Sequence, residues 1–183
     1  GCLTFQFSSD IIIAAAGWSA SISCVPCPGS NCPPCAGPPP ANDPCSGAQN
    51  LGLLPVPPAC VGTTGGIGAW ATFNTTNVCA TAENPYTYMT GCQPSGNMPS
   101  PSADVWYMFN ITGPTLNVNL NGLQAPAIGL YSGTNCNNLI PRGCQVGSGT
   151  ALSASFTGLA PGTYYLQVSG GNVNVQCPFT LSL

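Results

Sequence analysis

The strongest constraint on the fold is a series of short strand signals, most of which contain alternating apolar and polar residues, with turns rich in glycine and proline between them. This alternation is the period of a strand with one buried face, and no segment shows the longer period of an amphipathic helix. The candidate strands are GAWATFN (68–74), DVWYMFN (104–110), TLNVNL (115–120), AIGLY (127–131), ALSASF (151–156), TYYLQVS (163–169) and PFTLSL (178–183). The pattern predicts an all-β fold, an antiparallel, jelly-roll-like β-sandwich.

An apolar ribbon stands apart from this series, at residues 1–24. Two alternating stretches predict a β-hairpin, and a hairpin alone is marginal in water. Its loop holds three consecutive isoleucines, which would form a costly exposed patch. We therefore expect a partner surface, either the chain's own sandwich or a neighbouring copy. The residues expected at this interface are Leu3, Phe5, Phe7, Ile11, Ile12, Ile13, Trp18 and Ile22.

A segment rich in proline and cysteine, residues 25–44, separates the ribbon from the strand series. Proline favours an extended, semi-rigid chain, so this segment is predicted to be a linker. The predicted organisation is a hairpin arm at 1–24, a linker at 25–44 and a β-sandwich at 45–183.

Charge is almost absent: 3% of the 183 residues are charged, and the chain has no histidine. The ionic side chains are Asp10, Asp43, Glu83, Asp104 and Arg142. One arginine cannot neutralise a phosphate backbone, so nucleic-acid binding is not expected. No apolar run is long enough for a membrane span. Because net charge keeps proteins apart, this composition favours either a neutral exported module or a chain packed against its own copies.

Twelve cysteines predict a disulfide-rich protein of an oxidising compartment, outside the cell or at its surface. Short spacings predict that Cys2 pairs with Cys24, Cys45 with Cys60, Cys79 with Cys92, and Cys136 with Cys144. The spacing leaves Cys27, Cys32, Cys35 and Cys177 without assigned partners. A four-cysteine zinc site at Cys24-x-x-Cys27 and Cys32-x-x-Cys35 is the less favoured interpretation, because the two pairs are very close and proline fills the gaps.

Two regions resemble known families. The stretch LTFQFSSD…AAAGWSASISC is similar to the closing strands of a CUB domain, an extracellular module of which the other strands are missing here. Residues 42–183 resemble pre-peptidase C-terminal domains through NDPCSGA (42–48), ADVWYMF (103–109), LYSGTNCNNLIPRGC (130–144) and GLAPGTYYLQV (158–168). The second resemblance implies a β-sandwich, a non-catalytic accessory role and export, as part of large secreted bacterial surface proteins.

Candidate chemical sites are few. Without histidine or lysine the usual general bases are missing, so we expect no enzyme. Calcium needs several oxygen ligands, and the weak candidates are Asp104, Asp43 and Asp10. An aspartate near a strand start is more often a turn or cap residue, so no cofactor is expected.

Aromatic side chains could form a platform that stacks on sugars, or they could be core residues. These residues are Trp70, Trp106, Tyr107, Tyr131, Tyr164 and Tyr165. Because most of them lie in alternating strands, we expect core packing.

The leading functional hypothesis is a structural subunit or repeat of an extracellular bacterial filament. In it, a strand or hairpin passes from one copy to the next, and disulfides stiffen each copy. The alternative is an adhesin or carbohydrate-binding module of a larger secreted protein, with surface glycans as partners. A third interpretation, from family resemblance alone, is the accessory domain of a secreted protease.

Overall fold

The computed structural model describes residues 35–54, 71–81, 103–170 and 175–183, which form nine strands and two short 3-10 helices. The strands are β1 Gln49–Leu53, β2 Thr72–Thr76, β3 Asp104–Ile111, β4 Leu116–Asn121, β5 Ala127–Ser132, β6 Ile140–Val146, β7 Ala151–Phe156, β8 Gly162–Ser169 and β9 Pro178–Ser182. The 3-10 helices are Cys45–Gly47 and Cys136–Asn138. The predicted all-β fold is confirmed, and each predicted strand that lies wholly in the described ranges is present.

The strands form two sheets. One has five strands in the order β1-β3-β8-β5-β6, and the other has four in the order β2-β9-β4-β7. All pairs are antiparallel except β1 with β3, which is parallel. The two sheets face each other across one apolar core, as a β-sandwich requires.

The core consists of the inward-facing residues of both sheets. On β3 these are the alternate positions from Val105 to Ile111, while β4 and β7 supply theirs from the opposite sheet. The largest side chains that are fully or almost fully buried are Tyr107, Phe109, Leu120, Leu123, Leu130, Leu166 and Leu181. Every second residue of these strands therefore enters the core, as the two-residue period of a β-strand requires.

Two strands lack that alternation, and the sequence did not predict them. β1 contains Gly52, which has φ 78°, and β6 reads IPRGCQV. Glycine and proline weaken a strand prediction because they disfavour a regular ladder. Pairing with β3 and β5 nevertheless makes these segments the outer strands of the five-stranded sheet.

The sandwich includes chain that the sequence assigned to the linker. The carbonyl of Asn42 accepts a hydrogen bond from the Trp106 backbone N–H at 2.8 Å, and its side-chain amide donates to the Trp106 carbonyl at 3.2 Å. Asn42 and Asp43 are both buried. A semi-rigid spacer outside the sandwich would leave such groups in water, so Asn42 and Asp43 belong to the packed sandwich rather than to the predicted linker.

Other predicted features lie outside the described residues. They are the arm 1–24 with its interface residues Leu3, Phe5, Phe7, Ile11, Ile12, Ile13, Trp18 and Ile22, together with Asp10, Trp70 and the cysteines Cys2, Cys24, Cys27, Cys32, Cys60 and Cys92.

Candidate functional site

A second buried cluster lies on the outer face of the five-stranded sheet. Its members are Trp106 on β3, Tyr131 on β5, Tyr165 on β8 and Cys45, and all are less than a tenth exposed. Strand alternation places these aromatic residues opposite the core. They are buried because the two 3-10 helices and the chain beside them, including Ala48 and Leu139, cover this face.

A hydrogen-bonded polar chain runs beside the aromatic rings. The Tyr131 hydroxyl donates to Gln167 Oε1 at 3.0 Å, and Gln167 Nε2 donates to Asp104 Oδ2 at 2.6 Å. The strand register brings these groups together, because Gln167 pairs with Trp106 on one side and with Gly129 on the other. Gly129 leaves space for the Tyr131 ring, whose hydroxyl would lie 3.0 Å from a Cβ at that position.

A disulfide between Cys45 and Cys136 joins the two 3-10 helices that cover the cluster. A second disulfide joins Cys35 to Cys79. The predicted pairs Cys45–Cys60, Cys79–Cys92 and Cys136–Cys144 are therefore wrong. Short spacing misled the prediction because the fold brings together cysteines that are 91 and 44 residues apart. Cys144 and Cys177 are disulfide-bonded too.

The aspartates proposed as weak calcium ligands serve structural roles in the described chain. The Asp43 carboxylate accepts hydrogen bonds from the Thr81 backbone N–H at 2.6 Å and the Thr81 hydroxyl at 2.7 Å. Asp104 is fully buried and accepts from Gln167. Within the described ranges no three histidine, cysteine or acidic residues form a group that could hold a metal ion. The absence of a cofactor stays a prediction.

The aromatic residues on described strands belong to buried clusters rather than to a surface platform. Trp106, Tyr107, Tyr131, Tyr164 and Tyr165 are each at most 6% exposed. The prediction of core packing is confirmed for Tyr107 and Tyr164, which lie in the core between the sheets. Trp106, Tyr131 and Tyr165 are buried as well, but in the cluster on the outer face. The indole N–H of Trp106 is buried and finds no hydrogen-bond acceptor among the described residues.

The sandwich presents almost no charge to solvent. Of the charged side chains in the described ranges, Asp43 and Asp104 are buried, and Arg142 on β6 is exposed. The outer face of the four-stranded sheet carries threonine, serine and asparagine in rows, and hydroxyls of Thr72 and Ser182 lie 3.0 Å apart there. The groups that bind water on the outer face of the four-stranded sheet are therefore mostly neutral hydroxyls and amides.

The buried phenol of Tyr107 predicts that the stability of the sandwich depends on alkaline pH. Burial raises the pKa of Tyr107 to about 12, although hydrogen bonds with Thr75 and Asn42 lower it. Its hydroxyl lies 2.7 Å from the Thr75 hydroxyl of the facing sheet. Below pH 10 the phenol is neutral in both the folded and the unfolded chain, so the stability from burying it is complete there.

We expect the free energy of unfolding to fall between about pH 10 and pH 12, because the unfolded chain loses this proton first. The difference between a pKa of about 12 in the folded chain and 10.0 in the unfolded chain corresponds to a loss of unfolding free energy on the order of 2–3 kcal/mol. Urea unfolding across this range, with free thiols titrated in the same samples, measures the loss. The Tyr107→Phe variant is the control, and an equally steep alkaline fall in it would contradict the assignment.

These features define a disulfide-linked β-sandwich with a covered aromatic cluster on one outer face. No protein-family model matches the chain, and a search of curated proteins finds no match either. Among solved structures the chain is similar to the pre-peptidase C-terminal domain of a collagenase from Bacillus anthracis. The two are 16% identical, the match covers 74% of this chain and 91% of that one, and the TM-score is 0.37.

In the described ranges no helix is both long and apolar enough to cross a bilayer.

Proposed function

We propose that the chain is a structural subunit of an extracellular filament and that copies assemble by donating the N-terminal arm to a neighbour. The observation that carries the proposal is the surface: Arg142 is the one exposed charged side chain on the described sandwich. Like-charge repulsion normally keeps folded proteins apart, and a neutral surface removes that barrier to self-association.

The disulfides support the same role. Cys35, which begins the described chain, is bonded to Cys79 just after β2, and Cys45 is bonded to Cys136. The segment that follows the arm is thus attached covalently to the sandwich at Cys35, and the start of the sandwich itself is cross-linked at Cys45. A load on the arm would pass to the body through covalent bonds, as a subunit under tension requires. Disulfides persist in oxidising surroundings, which fits a location outside the cell.

The binding-module alternative has less support. A platform for sugar stacking needs exposed aromatic rings, and the aromatic residues on the described strands are all buried or half-buried. The proposal assigns no catalytic activity, since the chain has no histidine or lysine and both described carboxylates are held in hydrogen bonds.

Assembly is tested by electron microscopy and light scattering of the full oxidised chain at increasing concentration. We expect filaments from the unmodified chain. Phe5→Ser with Phe7→Ser should reduce polymer mass at least about tenfold, because each buried phenylalanine contributes about 2 kcal/mol. The matched control is Thr4→Ser with Gln6→Ser, on the other side of the alternation, which should polymerise normally. Monodisperse monomers of the unmodified chain at high concentration would refute the function.

A further inference from the structure

The five-stranded sheet has edges that resist pairing with another chain. On β6, Leu130 pairs with Gly143 and Tyr131 with Pro141, so Arg142 is an extra, bulged residue. On β1 the register shifts between Asn50 and Leu53. Bulges, proline and charge at an edge are the features by which proteins prevent edge-to-edge association.

The four-stranded sheet lacks these features. β2 and β9 pair without a break over five residues, and β4 and β7 do so over six. Neither β2 nor β7 contains glycine, proline or a charged residue. Among the described residues, the backbone pairing of β7 is with β4 alone. A regular, uncharged edge is a template for an added strand.

We propose that the β7 edge is the acceptor site for the N-terminal arm, residues 1–24, of a second copy of this chain. This inference rests on the proposed function, and it identifies the surface to which the donated arm binds. β7 is favoured over β2 because its inward face is an apolar row of Leu152, Ala154 and Phe156, all packed in the core cluster. The inward Thr75 of β2 is instead hydrogen-bonded to Tyr107.

The arm has the side-chain pattern that this edge requires. Leu3, Phe5 and Phe7 recur at every second residue, the same spacing as the apolar row of β7. An antiparallel added strand would place them beside that row and extend the core by one strand. The small Ala154 at the centre of the row leaves room for a large neighbour, because facing positions pack large against small.

The reach of the chain permits this contact between copies. Ten residues separate Cys24 from Cys35, which is fixed to the sandwich by its disulfide. Extended, they span roughly 35–40 Å. A four-stranded sheet is about 20 Å wide at ~4.8 Å per strand. An arm rooted at Cys35 therefore has the length to reach a neighbouring sandwich.

The first test compares two variants that each add one lysine to neighbouring positions of β7 in the full chain. Ala154→Lys places an ammonium group in the row that the arm would extend, whereas Ser155→Lys places it on the exposed outer face. We expect polymer mass to fall at least tenfold for the first and to change less than twofold for the second. Equal effects, or no effect of Ala154→Lys in folded protein, would overturn the acceptor site.

A second test does not depend on how Ala154→Lys folds. Ser153, exposed in the middle of β7, is replaced by p-benzoylphenylalanine, and the variant is mixed with an equal amount of ¹⁵N-labelled unmodified chain before illumination. We expect adducts that join β7 to labelled residues 1–24. The same photoprobe at Asn74 of β2 should give few. Adducts between copies that lie outside residues 1–24 would overturn the acceptor site while filaments still support the function. Adducts of the arm within one copy would overturn both the acceptor site and the donation of the arm. A chain that never polymerises refutes both.

Discussion

Replacing both cysteines of the Cys45–Cys136 disulfide with serine is expected to lower the free energy of unfolding by about 4–5 kcal/mol. The bond closes a loop across 91 residues of sequence, so its removal frees much of the unfolded chain. It also releases the two 3-10 helices that cover Trp106 and Tyr131. Guanidinium unfolding measures the loss of stability, and a red shift of tryptophan emission reports the uncovered cluster.

The matched control is Cys35→Ser with Cys79→Ser, which opens a loop of 44 residues. Chain entropy predicts a loss smaller by only about 0.6 kcal/mol, yet this disulfide does not lie over the aromatic cluster. The emission shift should therefore accompany the first variant alone, and a Trp106→Phe background assigns it to that residue. A loss below about 1 kcal/mol in the first variant would show that packing, rather than the bond, holds the cover in place.

The short strand signals and the turns between them were sufficient to predict the sandwich because both are local features of the sequence. On β3 and β8 every second residue enters one core, and the facing strands repeat this pattern. The same reasoning could not foresee that the opposite face of β3 is buried too. Trp106 is covered by segments that precede β1 and follow β5, and alternation within a strand carries no information about them.

The disulfide pairs and the edge strands could not be predicted from local sequence patterns. The pairing of Cys45 depends on two 3-10 helices meeting over one sheet, which only the assembled fold determines. β6 forms despite Pro141 and Arg142, because β5 supplies a pairing partner and a bulge absorbs the extra residue. Pro141 and Arg142 disfavour a strand when the sequence is considered alone. In the assembled sheet the same two residues prevent the β6 edge from pairing with another chain.

Asn77 is a structural residue that no pattern in the sequence predicts. Its side-chain amide donates to the carbonyls of Ala103 at 3.0 Å and Val175 at 2.8 Å, and its Oδ1 accepts from the Cys177 N–H at 2.8 Å. The residue is fully buried. Its partners lie between 26 and 100 residues away in sequence, so no local motif marks it.

Replacing Asn77 with alanine should therefore destabilise the sandwich by roughly 3–6 kcal/mol, because two carbonyls and one N–H become buried without a partner. Thermal and urea unfolding measure this loss. The control is Asn74→Ala on β2, where an exposed side chain accepts one hydrogen bond from the Thr180 hydroxyl at 3.3 Å, and we expect less than about 1 kcal/mol there. Similar losses at both positions would mean that Asn77 does not join its three segments. A selective loss at Asn77 would show that one amide holds together the start of β3, the turn after β2 and the chain entering β9.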